Sequence, residues 1–134
     1  MQIGVIGLGR MGGNISRRLM KAGHTCIVFD ANAKPREALA KEGATAVQSL
    51  EDVVKAFKEK PRAVWVMLPA GQITEETVRR LGDLLEQSDI VIFATRHRPA
   101  QGSRGYHRVT MRHGVSTVRS GSRFTLGVIF HDAK

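Results

Sequence analysis

A glycine-rich hexapeptide, Gly7-Leu8-Gly9-Arg10-Met11-Gly12, follows directly on the apolar run Gln2–Ile6 and opens a helical pattern. That context constrains the fold more than any other feature, because glycines at this spacing serve a turn from a buried strand into a helix. Gly7 permits the tight turn. Gly9 has no side chain to obstruct a pyrophosphate. Gly12 lets the helix pack closely on the strand. The free N–H groups and positive dipole at the helix start then receive phosphates, with Leu8, Arg10 and Met11 supplying the backbone between the glycines. The alternative is a glycine-rich turn that holds no ligand.

The elements after the loop alternate in kind. The first helix runs from about Arg10 to Ala22, with Met11, Ile15 and Leu19 spaced by four on one face, and Gly23 ends it in the C′ position. Thr25–Phe29 is a second apolar run, closed by Asp30. Asn32 and Pro35 open a helix that reaches Glu42 and stops at Gly43. Ala44–Val47 is a short strand. Ser49-Leu50-Glu51-Asp52 resembles a capping box, before a helix with Leu50, Val53, Val54 and Phe57 inward. Ala63–Leu68 is apolar throughout, as a strand covered on both faces should be, with Trp65 in the core. Thr74 caps a helix with Glu75 and Glu76 in its first turn and Val78, Leu81 and Leu85 as its buried stripe. Asp89–Phe93 is a fifth strand. This alternation predicts an α/β fold, a Rossmann-type doubly wound parallel sheet truncated at about five strands.

In such a sheet the acid closing the second strand has a function. Asp30 stands 18 residues after Gly12. It can accept hydrogen bonds from both ribose hydroxyls of NAD and would repel the 2′-phosphate of NADP. Lys34 and Arg36 partly offset that repulsion. NAD is favoured over NADP as the cofactor.

The motifs carry a more specific resemblance. Gly7-Leu8-Gly9-Arg10-Met11-Gly12-Gly13-Asn14, continued by Arg17-Arg18-Leu19-Met20 and Gly23-His24, resembles the start of the 6-phosphogluconate dehydrogenases of the β-hydroxyacid dehydrogenase superfamily. Val66-Met67-Leu68-Pro69-Ala70-Gly71 and Ile73-Thr74 resemble that family's fourth strand and following loop. The resemblance implies that Met67, Leu68, Pro69 and Ala70 face the nicotinamide half of the cofactor. It covers residues 1–92 and is nearest the shorter, commonly NAD-linked bacterial type. It implies oxidation of 6-phosphogluconate at C3 and loss of CO2 to give ribulose 5-phosphate. One departure is clear: where the family continues into Asp-Gly-Gly-Asn, this chain reads Phe93-Ala94-Thr95-Arg96. The family's catalytic lysine, second asparagine and glutamate have no counterpart in the 134 residues. No catalytic residue is therefore assigned. The expectation is a domain that binds cofactor without turning over substrate, completed by a partner chain or by homo-oligomerisation. Lys21 and Lys34 read as solvent-facing.

Charge divides the chain near Phe93. Residues 1–92 hold 13 Lys and Arg against 11 Asp and Glu, whereas residues 93–134 hold 8 against one acid, Asp132. Residues 94–106 read as a linker rich in Arg, Pro and Gly, and residues 107–134 as a basic tail forming a β-hairpin around Ser120-Gly121-Ser122. His113 to Leu126 resembles the last strands of the Fe(II)/2-oxoglutarate oxygenases, in which the histidine ligates iron and an arginine ten residues on binds the oxo acid; Arg123 has that spacing. The resemblance makes His113 a candidate metal ligand, but the His-x-Asp pair of that family is missing, and iron needs the whole facial triad. A fused or rearranged reading frame accounts for the break.

A second functional class competes with the cofactor reading: a non-enzymatic basic module binding polyanions or nucleic acid on a Rossmann scaffold. Against it, the arginines are spread through a strand pattern and only Tyr106, Phe124 and Phe130 are aromatic in the tail, so nucleic acid is disfavoured. The single cysteine, Cys26, excludes a disulfide framework and reads as a buried small hydrophobe. No apolar run of about 18 residues predicts a membrane span. The start Met1-Gln2-Ile3-Gly4-Val5 does not resemble a signal peptide, so a cytoplasmic location is expected. Lys55, Lys58, Lys60 and Arg62 read as a solvated helix end, and His24 as a water-facing turn residue.

Overall fold

The computed structural model describes residues 1–93, 98–102 and 105–109. Five parallel strands alternate with four helices: β1 (Gln2–Ile6), α1 (Arg10–Lys21), β2 (Thr25–Phe29), α2 (Ala33–Lys41), β3 (Thr45–Ala46), α3 (Leu50–Lys55), β4 (Ala63–Val66), α4 (Gln72–Leu84) and β5 (Ile90–Phe93). The sheet order is β3-β2-β1-β4-β5, the doubly wound arrangement. β1 pairs with β2 from Gln2 opposite Thr25 to Ile6 opposite Phe29, and with β4 through Val5 opposite Trp65. The order reverses between β1 and β4, so the turns that follow those two strands lie side by side at the carboxyl edge. In open α/β sheets this is where ligands bind.

Alternation along the strands builds a core on each face. Ile3, Val5, Cys26 and Val28 point to one face, with Leu8 and Leu39; Ile6, Ile27, Val64 and Val66 point to the other, with Val53 and Leu81. Each fully buried aliphatic side chain contributes about 1.5–3 kcal/mol. Burial holds the Cys26 thiol above its ordinary pKa, consistent with a packing residue. Two helices end on left-handed glycines, Gly23 (φ +83°) and Gly43 (φ +103°). After α1, His24 N–H donates to Leu19 O and Gly23 N–H to Met20 O, the paired bonds that satisfy the last carbonyls. Ser49 caps α3 by accepting from Asp52 N–H at 3.1 Å.

Several expectations are corrected. α1 packs on the sheet through Gly12, Gly13 and Ser16, with Leu19 and Met20 partly buried against the same core; Met11 is not part of that contact and is 62% exposed. The reason is distance: the first turn of α1 lies so close to β1 that only small residues fit the contact. α4 begins before Thr74, at Gln72, with Gly71 at its N-cap (φ +128°). Thr74 is buried within the first turn, and Thr77 takes part in the stripe with Leu81. Trp65 is half-buried rather than core, and His24 is half-buried. Arg62 is not solvated: it is buried, with Nε donating to Asp89 Oδ2 at 2.8 Å and its backbone N–H donating to Oδ1 at 2.7 Å. Lys60 pairs with Glu86 on the surface. Ile90 and Ile92, on the edge strand, are exposed.

Beyond β5, part of the expected linker is a hairpin: β6 (Arg98–Gly102) and β7 (Gly105–Val109) run antiparallel, with Gly102 opposite Gly105. The glycines that read as linker residues flank a two-residue connection instead. The hairpin expected around Ser120-Gly121-Ser122, and His113, Arg123 and Asp132, lie outside the described residues. No helix among the described residues is long and apolar enough to cross a membrane.

Candidate cofactor site

The turn after β1 is defined by what cannot fit into it. A Cβ on Gly7, at φ +87°, would lie 2.8 Å from Met67 O and 2.9 Å from the Leu68 side chain. A Cβ on Gly12 would lie 1.9 Å from Gly7 O, an impossible contact with backbone. A Cβ on Gly9 would meet nothing within 4 Å. Gly7 and Gly12 are therefore glycines for the protein's own sake, whereas Gly9 borders open space. Removing its side chain keeps clear a surface that no protein atom occupies.

Donors line that surface. Gly13 N–H donates to Gly9 O at 2.9 Å and begins the helical ladder, so the N–H groups of the residues before it, Arg10, Met11 and Gly12, have no intrahelical acceptor. Gly9 stands at the N-cap without a side-chain cap, and α1 has no acid in its first turn. α3 is the contrast: Ser49 caps it and Glu51 and Asp52 occupy its first turn. A helix start left without cap or carboxylate, at the reversal point of a parallel sheet, suits an external anion. Arg10 and Met11 are exposed, while Leu8 is 5% exposed and anchored in the core.

β2 supplies the neighbouring wall. Gly7 N–H donates to Phe29 O at 2.9 Å. Asp30 is half-buried; its Oδ2 accepts from Leu8 N–H at 2.6 Å and its Oδ1 from Asn32 N–H at 2.8 Å. Arg36 donates to the Asp30 carbonyl and to Gln48 Oε1, the latter at 2.8 Å. Lys34 is exposed beside it. The structure thus brings Asp30 against the glycine loop, a contact the sequence does not signal. Asn32, Arg36 and Gln48 as supports of that corner had no sequence signal beyond the polar character of the segment.

β4 supplies the other side. Met67 N–H donates to Ile6 O at 2.7 Å, which carries the β1–β4 pairing one residue past the strand. Met67 and Leu68 are half-buried beside Gly7 and Gly12; Pro69 and Ala70 are exposed. The Thr74 hydroxyl donates to Pro69 O at 2.7 Å and pins this second turn. Reading Thr74 as a cap found the residue but not the bond. Gly7 to Gly12, Asp30 and Met67 to Ala70 therefore meet at one edge, and His113 lies outside the described residues. Among the described residues no three or more His, Cys, Asp or Glu side chains gather as a metal site.

Known proteins share this fold and parts of this sequence. A family model for the NAD binding domain of 6-phosphogluconate dehydrogenase matches residues 2–121, continuing past the charge break near Phe93. The NAD(+)-dependent, decarboxylating 6-phosphogluconate dehydrogenase of Haloferax volcanii is 39% identical over 92 residues, 69% of this chain and 30% of that protein. The NADP(+)-dependent, decarboxylating enzyme of Bacillus subtilis is 30% identical over 127 residues, 92% of this chain and 25% of that protein. The dinucleotide named thus differs between relatives. Among solved structures, Plasmodium falciparum 6-phosphogluconate dehydrogenase superposes with a TM-score of 0.64 at 25% identity, covering 70% of this chain and 21% of that one. Mycobacterium tuberculosis 3-hydroxyisobutyrate dehydrogenase superposes with a TM-score of 0.60 at 26% identity, covering 69% and 30%.

Proposed function

Because the chain belongs to the family of the NAD-binding domain of 6-phosphogluconate dehydrogenase, we propose that its glycine loop holds the pyrophosphate of NAD, in preference to NADP. The observation that carries this reading is the open space at Gly9, where a Cβ would meet nothing within 4 Å, beside the uncapped start of α1. The N–H groups of Arg10, Met11 and Gly12 bind the phosphates. Leu8 anchors the loop, and Gly7 and Gly12 set its shape. Asp30 accepts from the adenosine ribose, and its negative charge opposes a 2′-phosphate by tenfold or more in affinity, about 1.4 kcal/mol. Met67, Leu68, Pro69 and Ala70 border the nicotinamide half. A bound nicotinamide supplies the hydride acceptor.

The substrate inferred from the relatives' names is 6-phosphogluconate. The described residues put no general base and no sugar-acid pocket beside the Met67–Ala70 edge. Orienting groups for reaction contributes about 7–11 kcal/mol of barrier reduction, so the 134 residues alone bind cofactor and leave 6-phosphogluconate unoxidised unless a second chain completes the site. Calorimetric titration with NAD and NADP tests the binding reading, with NAD expected to bind tighter; no heat with either would refute it. NADH formation from 6-phosphogluconate at ordinary enzyme rates, on the order of 1–1000 per second, would refute the second part. The excess of 8 Lys and Arg over one acid in residues 93–134 favours a second reading, a polyanion-binding module. Binding of RNA that collapses with salt, without NAD binding, would support it.

A further inference from the structure

The acid at the end of β2 is committed to the loop as well as facing the ribose. Leu8 is the residue whose amide needs it. The residue as a whole is 5% exposed within the core cluster of Ile3, Val5 and Leu39, so its N–H leaves water on folding. A buried amide without a partner is costly, and the partner present is a carboxylate oxygen, Asp30 Oδ2, at 2.6 Å. The preceding amide, Gly7 N–H, is held by Phe29 O at 2.9 Å. Two successive amides of the loop are thus fixed by the end of β2, and the next ones, at the start of α1, stay free for a ligand.

The acid is itself fixed from the far side. Its Oδ1 accepts from Asn32 N–H at 2.8 Å, and its carbonyl accepts from Arg36, whose other nitrogen is held by Gln48. Each carboxylate oxygen has a second lone pair, so both can accept ribose hydroxyls without releasing the loop.

Building on the cofactor reading, we propose that Asp30 is a positioning residue for the phosphate loop, acting through the Leu8 amide, in addition to its contact with the ribose. Exchanging it for a small neutral residue then does not simply convert the site from NAD to NADP. It removes the charge that repels a 2′-phosphate and at the same time loosens the loop that binds the pyrophosphate of either cofactor.

A probe without ribose hydroxyls separates the two roles. 2′,3′-Dideoxyadenosine 5′-diphosphate keeps the diphosphate and leaves Asp30 nothing to hold on the sugar. Titrated calorimetrically into the full chain, it is expected to bind Asp30→Ala about tenfold more weakly than the wild type, the loss of one charge-assisted hydrogen bond. Asp30→Asn, which keeps an oxygen acceptor for Leu8 N–H, should restore affinity to within about threefold of the wild type. Loss of negative charge alone acts in the opposite sense, tightening the diphosphate in both variants. Binding to Asp30→Ala as tight as to the wild type, or tighter, overturns the proposal. Hydrogen exchange of the wild-type chain without ligand is the second measurement, and it stands even where Asp30→Ala fails to fold. The Leu8 amide should be protected and those of Arg10 and Met11 should not; equal exchange at all three overturns the proposal. A wild-type chain that binds neither NAD nor the dideoxy probe refutes the cofactor reading itself, and Leu8 exchange still decides whether Asp30 holds the loop.

Discussion

The turns after β1 and β4 sit side by side at the same sheet edge and join a strand to a helix, yet they are shaped by different means. The first is shaped by close backbone contact and one carboxylate: Gly7 and Gly12 admit no side chain, and the end of β2 fixes two successive amides through Phe29 O and Asp30 Oδ2. The second is shaped by one torsion and one hydroxyl: Gly71 at φ +128° has open space around it, and Thr74 ties down Pro69 O at 2.7 Å. A loop determined by close contacts can leave its remaining N–H groups without internal partners and still hold its form. On the proposed cofactor reading, that difference leaves the first turn open to an anion and the second as its neighbour.

The largest expected effect breaks the first turn. Gly12→Ala puts a Cβ 1.9 Å from Gly7 O, a clash with backbone that no rotamer relieves. It should cost about 4–5 kcal/mol in urea unfolding and abolish cofactor binding. A cost below about 1 kcal/mol would show that the helix start is not packed as described.

The next effect lies at the opposite edge and separates stability from binding. Asp89 has no side-chain exposure and Arg62 has 10%. Arg62→Ala leaves a buried carboxylate without its cation and should cost about 3–5 kcal/mol, while NAD affinity of the folded fraction stays unchanged. Burial pushes the Asp89 carboxyl up, but hydrogen bonds from the Arg62 side chain and from the Arg62 and Glu86 amides outweigh it and leave its pKa lowered. A lowered carboxylate stabilises the fold above its unfolded pKa of about 3.9, and that contribution is lost as pH falls through the lower folded value. Below about pH 4, wild type and Arg62→Ala should therefore converge in stability. Parallel curves would mean that the pair does not titrate as described.

A smaller effect belongs to the second turn. Gly71→Ala forces a side chain into a left-handed backbone, at about 1–3 kcal/mol, with no steric clash. Thr74→Val removes one hydrogen bond, at about 1 kcal/mol. Both should change NAD affinity less than any change at Gly12. A larger loss of affinity from Thr74→Val than of stability would make the second turn a direct ligand contact.

The same contrast explains how far the sequence could be read. Gly7 and Gly12 are legible because each is a local demand of one turn, and Asp30 because it closes the second strand. The sheet order followed from strand–helix alternation. The inner face of α1 is legible only in part: hydropathy gives weight to Leu19, which packs on the core, but also to the exposed Met11, and cannot register that Gly12 and Ser16 make the closest contact by being small. Arg62 was misread because its partner, Asp89, is 27 residues away. Gly102 and Gly105 signal a hairpin or a linker equally well until the flanking residues pair.

The proposed pyrophosphate site at the open surface of Gly9 stands or falls with Gly9→Val. Gly9 has φ −60°, which valine adopts without strain, and a Cβ there touches nothing. The variant should unfold in urea within about 0.5 kcal/mol of the wild type and keep its circular dichroism. In calorimetric titration its affinity for NAD should fall by at least about a hundredfold, about 2.7 kcal/mol, because the new methyl groups occupy the space of the phosphates. A stable variant that binds NAD as tightly as the wild type would contradict the account.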